Sequence, residues 1–326
     1  MLTWLELAAG LVLLLGGGEF LVRGSVAVAT RLGVSPLLIG LTLVGFGTST
    51  PELVASVEAA LIGAPGIAVG NVVGSNIANV LLIMGVAAVL LPMATTRAAF
   101  TRDGAVLVGA TLVMVGIVLG GSLERWGGAV LLVLLAAYSG YAYLTERGGG
   151  PAAELHAAEV AEVAVPRTLS LGAAAALALG GIAGVVLGAS LLVDSAIVIA
   201  RDLGLSEAVI GLTLVAVGTS LPELATAVMA ALRRHGDVAL GNVVGSNIFN
   251  ILGIAGVTAL VKPIPIPAEI VRFDVWVMLA AALLLVVFAV SGWRITRREG
   301  AVLLAGYVAY LVVQFAPGVR GALGLA

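Results

Sequence analysis

Ten apolar stretches, each long enough to cross a lipid bilayer, dominate this sequence. They lie near residues 3–30, 34–62, 68–91, 103–121 and 126–145, and again near 167–200, 205–233, 238–261, 272–292 and 298–316. A helix needs about 20 apolar residues to span the hydrocarbon core, where only a structure that satisfies its own backbone polar groups survives. Barrel strands would be shorter and alternating. Charged residues make up 10% of the chain and hydrophobic residues 61%, too little polar surface to clothe a globule. The chain is therefore read as an all-α polytopic membrane protein, and soluble enzymes and nucleic-acid binders are excluded. It has no cysteine and two histidines, which removes disulfides, thiolate metal sites and His-rich zinc sites.

Five runs lie on each side of one polar break. The organisation expected is a first five-helix repeat over 1–145, a cytoplasmic linker over 146–166 and a second five-helix repeat over 167–326. The linker carries Glu146, Glu154, Glu159 and Glu162 and reads as a solvated connector, too short to hold a regulatory domain. The first apolar run outlasts a signal-peptide core and reads as a retained anchor. With the N-terminus outside, 11 basic residues fall at cytoplasmic ends or loops and 5 fall outside, so both termini are expected outside the cytoplasmic membrane.

The two sets of five are copies of one another. Residues 40–53 read GLTLVGFGTSTPEL and residues 211–224 read GLTLVAVGTSLPEL, with 11 of 14 positions identical. Residues 70–79 (GNVVGSNIAN) and 241–250 (GNVVGSNIFN) share 9 of 10, at the same offset of 171. Each copy has an odd number of spans, so the second must enter the membrane from the opposite side. The fold expected is ten transmembrane helices as two inverted five-helix repeats, an arrangement that places a binding site at the midplane between them.

The copied segments are the most polar parts of the apolar runs. Pro51 and Pro222 lack an N–H and clash with the carbonyl four residues back, at Gly47 and Gly218. The helix is expected to break there and release carbonyl oxygens, which is tolerated only inside protein or beside water. Thr48, Ser49, Thr219 and Ser220 add hydroxyls. Glu52 and Glu223 follow the prolines, at the start of a half-helix whose dipole favours a carboxylate. Asn71, Ser75 and Asn79 form one polar stripe at i, i+4 and i+8, as do Asn242, Ser246 and Asn250. The donors are all oxygen, which suits Ca2+, Na+ or Mg2+ rather than zinc or copper. Two ionised glutamates give −2, matched by one Ca2+ or two Na+. Without a cation they repel, so the empty charged site is the unfavourable one for crossing the membrane. An ionisable residue in mid-membrane is functional by default.

Other polar positions have blander readings. Gly70/Gly74 and Gly241/Gly245 read as close-packing pairs, and Asn76 and Asn247 lie off the stripe. Glu19 and Arg23 read as a mutually neutralising i,i+4 pair, Glu58 as an outlying residue, and Asp194 as a gate residue or an interfacial anchor.

At these motifs the sequence resembles the sodium/calcium exchanger family of the cation/calcium antiporter superfamily, whose hallmark is two inverted repeats carrying G-T-S-x-P-E and G-S-N-I-x-N/D. The resemblance runs over essentially the whole chain. It implies that Glu52 and Glu223 are the central carboxylates shared by Ca2+ and Na+, and that Thr48 and Thr219 contribute oxygens to Ca2+. It implies that Ser49, Ser220, Ser75 and Ser246 serve flanking Na+ sites with the carbonyls of Gly45 and Ala216, and that Asn79 and Asn250 complete a diamond with the glutamates. Gly45 departs from its counterpart Ala216, and Asn250 stands where some members carry Asp. The large regulatory domains of animal exchangers are missing.

The activity implied is antiport of Na+ for Ca2+ by alternating access, with the first and sixth spans sliding over an ion-holding core and Ca2+ extruded. No covalent chemistry, cofactor, nucleic acid or obligatory protein partner is expected. The nearest rival is a Ca2+/H+ exchanger on the same fold; the hydroxyls around both glutamates favour Na+. An intramembrane protease lacks its motifs here, and the paired glutamates argue against a passive channel.

Overall fold

The computed structural model describes residues 2–39, 42–43, 46–94, 97–147, 160, 169–233, 236–316, 319 and 321. Gly45, and all of the expected linker except 146, 147 and 160, lie outside the described residues.

The fold is all-helical, as expected. The helices are α1 (Leu2–Arg31), α2 (Pro36–Ile39), α3 (Thr50–Ile62), α4 (Pro65–Leu90), α5 (Arg97–Leu119), α6 (Arg125–Glu146) and α7 (Leu171–Leu203). They continue as α8 (Glu207–Thr219), α9 (Leu221–Leu232), α10 (236–261), α11 (Ile270–Val290) and α12 (Arg297–Phe315). Among the described residues seven of these are long and apolar enough to span a bilayer, and the bent pair α8–α9 makes an eighth. The sequence led us to expect ten. The run near 34–62 falls partly on residues outside the described set, and α12 opens on the polar Arg297, Arg298 and Glu299.

The element boundaries carry the sequence offset. Pro65–Leu90 recurs as 236–261, and the starts of α3 and α9 are both 171 residues apart. Pro51 and Pro222 occupy the first turn of α3 and α9, where no N–H partner is lost. α4 and α10 form the centre, with 83% of their apolar windows buried against 28–44% in the other five long spanning helices.

α1 and α7 lie against each other backbone to backbone. Gly10, Gly17 and Gly24 recur every seven residues on α1, and Gly181 and Gly188 answer them on α7. A Cβ at Gly17 would sit 2.5 Å from Val185 N, and one at Gly188 would sit 2.4 Å from Leu14 N. Small residues are what allow helices to pack this closely in a membrane, where burial of apolar area supplies no drive between them.

Among the described residues, four two-residue strands close the ends of the peripheral helices: β1 (Met93–Ala94), β2 (Ser122–Leu123), β3 (Ile264–Pro265) and β4 (Arg294–Ile295). β1 pairs with β4 and β2 with β3, both antiparallel, so each pair joins the first half of the chain to the second.

Candidate functional site

The two proline motifs break the helix at the serine. Ser49 has φ −88°, ψ 10° and Ser220 has φ −83°, ψ 11°, nearly the same geometry in both copies. α8 and α9 meet there at 48°. The Gly47 carbonyl is not freed as the sequence led us to expect. It accepts the Thr50 N–H at 3.1 Å, so a tighter turn replaces the bond that Pro51 cannot make.

Glu52 and Glu223 lie in the first turns of α3 and α9, 1% and 0% exposed. Each is held by the other copy. Ser49 Oγ donates to Glu223 Oε1 at 2.9 Å, and Ser220 Oγ donates to Glu52 Oε1 at 2.8 Å. Each glutamate's other oxygen, Oε2, is buried with no protein partner.

The polar stripes of α4 and α10 face this pair. Ser75, Asn79, Ser246 and Asn250 are all buried. Asn79 and Asn250 each begin a π-helical segment, Asn79–Met84 and Asn250–Ile254. Such wide turns cluster at functional positions because they leave backbone bonds irregular and re-aim side chains. Asn79 Oδ1, Asn250 Oδ1, Ser246 Oγ and Thr48 Oγ1 join the two Oε2 atoms as buried oxygens without a protein partner. An unpaired buried polar atom costs about 1–3 kcal/mol. These six, all hard oxygens and two of them carboxylate, are chemically suited to alkali or alkaline-earth cations. Among the described residues no cluster of three or more His, Cys, Asp or Glu is present, so the negative charge at this centre comes from the two glutamates.

Thr219 Oγ1 donates to Asn71 Oδ1 at 3.1 Å and to the Ala216 carbonyl at 3.3 Å, which Ser75 Oγ also approaches at 3.5 Å. Eleven of the twelve expected ligand positions are thus in the described core around the two breaks. Gly45, the twelfth, lies outside the described residues.

Two asparagines do more than the stripe suggested. Asn71 Nδ2 donates to the Glu52 carbonyl at 3.0 Å and to Ser56 Oγ at 2.9 Å, fixing α3 to α4. Asn247, off the stripe, accepts from Asn79 Nδ2 at 3.0 Å and donates to the Asn76 carbonyl at 3.4 Å, tying the two central rods together.

Arg23 and Glu19 form an ion pair at 2.5 Å with both side chains about half exposed, Glu58 is half-buried, and Asp194 is exposed.

Sequence reasoning passed over a second carboxylate pair. Tyr138 Oη donates to Asp103 at 3.2 Å and Tyr310 Oη donates to Asp274 at 3.0 Å. Asp103 and Asp274 obey the 171 offset, so lining up the two copies beyond the motifs would have found them.

The comparisons with known proteins agree with one another. The family model described as sodium/calcium exchanger protein matches residues 2–144 and 173–316. The chain is 38% identical to the sodium/calcium exchanger MaX1 of Methanosarcina acetivorans over 96% of its own length and 98% of that protein. It is also 38% identical to a putative antiporter, CaxA, of Alkalimonas amylolytica, over 94% and 96% of the two chains. Among solved structures it is similar to the sodium-calcium exchanger NCX_Mj soaked with 2.5 mM Na+ and 0.1 mM Ca2+, with a TM-score of 0.62, 33% identity and coverage of 96% and 98%.

Proposed function

The chain belongs to the sodium/calcium exchanger protein family, and on that premise we propose that it couples Na+ entry to Ca2+ extrusion across the cytoplasmic membrane by alternating access. As a member it is a multi-pass membrane transporter and not an enzyme, and its activity is cation exchange with Ca2+.

The observation that carries the finer reading is the reciprocal pairing of Ser49 with Glu223 and Ser220 with Glu52. It leaves one oxygen of each carboxylate unpartnered, and Thr48, Asn79, Ser246 and Asn250 each add a buried oxygen without a protein partner. Glu52, Glu223, Asn79 and Asn250 form the central cation site. Thr48 and Thr219 supply further oxygens to Ca2+. Ser49, Ser220, Ser75 and Ser246, with the carbonyls of Gly45 and Ala216, form flanking Na+ sites. Ca2+ or a pair of Na+ cancels the charge of the two glutamates, so the loaded protein crosses its transition more readily than the empty one.

The end strands support ten spans in two inverted halves. β1 follows α4 and β3 follows α10, the counterpart of α4. β1 pairs with β4, which lies beyond the far end of α11, while β3 pairs with β2 at the opposite end of the bundle. α4 and α10 therefore run in opposite senses. The glycine register of α1 on α7 is antiparallel as well, since Gly10 meets Gly188 and Gly24 meets Ala174. The close backbone contact between α1 and α7 suits a pair that slides as one unit over the core. With both termini outside, α10 begins at the cytoplasmic face.

The test is purified protein in vesicles loaded with Na+, with uptake of radioactive Ca2+ followed under an outward Na+ gradient, an outward H+ gradient or neither. Uptake driven by Na+ is expected. Uptake driven only by protons would replace this reading with Ca2+/H+ exchange.

A further inference from the structure

Asn71 stands where three helices meet, and both ends of its side-chain amide are in use. Nδ2 donates to the Glu52 carbonyl at 3.0 Å and to Ser56 Oγ at 2.9 Å, both on α3. Oδ1 accepts from Thr219 Oγ1 of α8 at 3.1 Å and from Ser75 Oγ of α4 at 3.5 Å. All five residues are buried. A carbonyl can only accept, so the Glu52 carbonyl dictates which end of the amide faces α3. Oδ1 is then turned to the two hydroxyls.

That orientation matters to the oxygens of the site. A hydroxyl carries one hydrogen and two lone pairs. Thr219 and Ser75 share two acceptors, Asn71 Oδ1 and the Ala216 carbonyl. A hydroxyl that gives its hydrogen to Asn71 keeps its lone pairs for a cation and spares the Ala216 carbonyl as a further oxygen. Groups that do not touch a metal ion commonly orient its ligands in this way.

The second copy has no such network. Asn71, Ser75, Thr219 and Ser56 correspond to Asn242, Ser246, Thr48 and Ala227. Asn242 Nδ2, Ser246 Oγ and Thr48 Oγ1 are buried without a protein partner. Ser56 against Ala227 is the one of these four pairs that differs in sequence, and Ala227 has no hydroxyl to hold an amide.

We propose that Asn71, anchored by Ser56, is a positioning residue of the cation site. It draws the hydroxyl hydrogens of Thr219 and Ser75 away from the ion, so one copy offers oxygens already ordered. The other copy, with Ala227 in place of Ser56, offers oxygens that the ion itself must order. The inference rests on the ion-site reading, and its test measures binding so that the two can fail separately.

Purified protein in lipid nanodiscs is titrated with Ca2+ in Na+-free buffer, and the dissociation constant is read beside the melting temperature. Asn71→Ala is expected to weaken Ca2+ binding about tenfold, the low end of what losing such an outer partner costs a metal site. Ser56→Ala is expected to weaken it about threefold, the size of an average hydrogen bond between membrane helices, and carries the test by itself where Asn71→Ala does not fold. In an Asn71→Ala background Ser56→Ala should add nothing, because the hydroxyl acts through the amide. Thr226→Ala removes a hydroxyl of α9 that bonds its own helix at the Pro222 carbonyl, and should leave the dissociation constant unchanged. Wild-type protein that binds no Ca2+ overturns the ion-site reading and this inference with it. Wild-type binding with a lower melting temperature but unchanged affinity in Ser56→Ala, an additive loss in the double variant, or an equal loss in Thr226→Ala overturns the inference alone.

Discussion

The stretch GNVVGSNI occurs identically on α4 and α10, yet the two copies live in different surroundings. Gly70 and Gly74 press on the backbone of α8, and everything from Gly66 to Ala78 is buried. Gly241 and Gly245 have nothing among the described residues within 4 Å of where a Cβ would be, and Gly241 is exposed. The asparagines follow suit. Asn71 is tied to Glu52, Ser56 and Thr219, while Asn242 Nδ2 and Thr48 Oγ1, the counterparts, are unpartnered. Equal sequence in unequal surroundings means that this asymmetry comes from what packs around each rod.

The sharpest way to break this comparison is at the one place where the halves are equivalent. Glu52→Gln and Glu223→Gln each remove half of the negative charge, and each is expected to lower Na+-driven Ca2+ uptake by at least about 100-fold, as loss of a buried ionic partner of about 3–5 kcal/mol implies. Full uptake in either variant would remove that glutamate from the site.

The glycines come next, and here the halves should part. Gly74→Ala forces a methyl against the Leu212 carbonyl and is expected to cost about 1–3 kcal/mol, seen as a lower melting temperature in detergent. Gly245→Ala meets open space and should leave the melting temperature within about 1 °C, on the scale of a neutral exposed change. Equal losses would mean that the two faces are packed alike. A smaller contrast is expected at the asparagines. Asn71→Ala removes its bonds to the Glu52 carbonyl, Ser56 and Thr219, at about 1–3 kcal/mol, whereas Asn242→Ala should be close to neutral by the same thermal measurement. The smallest is at the tyrosines: Tyr138→Phe deletes a part-buried bond and Tyr310→Phe a buried one, each worth about 0.6 kcal/mol on average in a membrane protein. Asp103 keeps its ion pair with Arg102 at 2.6 Å and Asp274 keeps the Gln314 amide, so neither variant should unfold.

Much of the site was legible because duplication repeats its chemistry. Glu52 and Glu223, the serines beside them and the two stripes stand out once the copies are laid over each other, since charge in an apolar run needs a reason. What could not be read is what depends on crossing from one copy to the other. Nothing in either motif says that Ser49 serves Glu223 rather than its own Glu52. Asn247 lies off the stripe on its helix and matters only because α4 passes beside it. The Gly47 carbonyl was misjudged for a local reason: a proline removes one bond, and the chain re-made another by tightening its turn. Phe46 and Phe249 read as ordinary apolar residues, yet their rings stack across the two copies with centroids 4.3 Å apart.

The end strands have a consequence for how the protein is made. Met93 and Ala94 find their partners in Ile295 and Arg294, and Ser122 and Leu123 find theirs in Pro265 and Ile264. A ribosome delivers the first of each pair long before the second. The early half must therefore wait in the bilayer with these edges unmatched, and neither latch can shut until nearly the whole chain has been inserted. The same two clasps that hold the finished molecule at its rims thus report when synthesis is almost over, and a chain stopped before Arg294 would never close both.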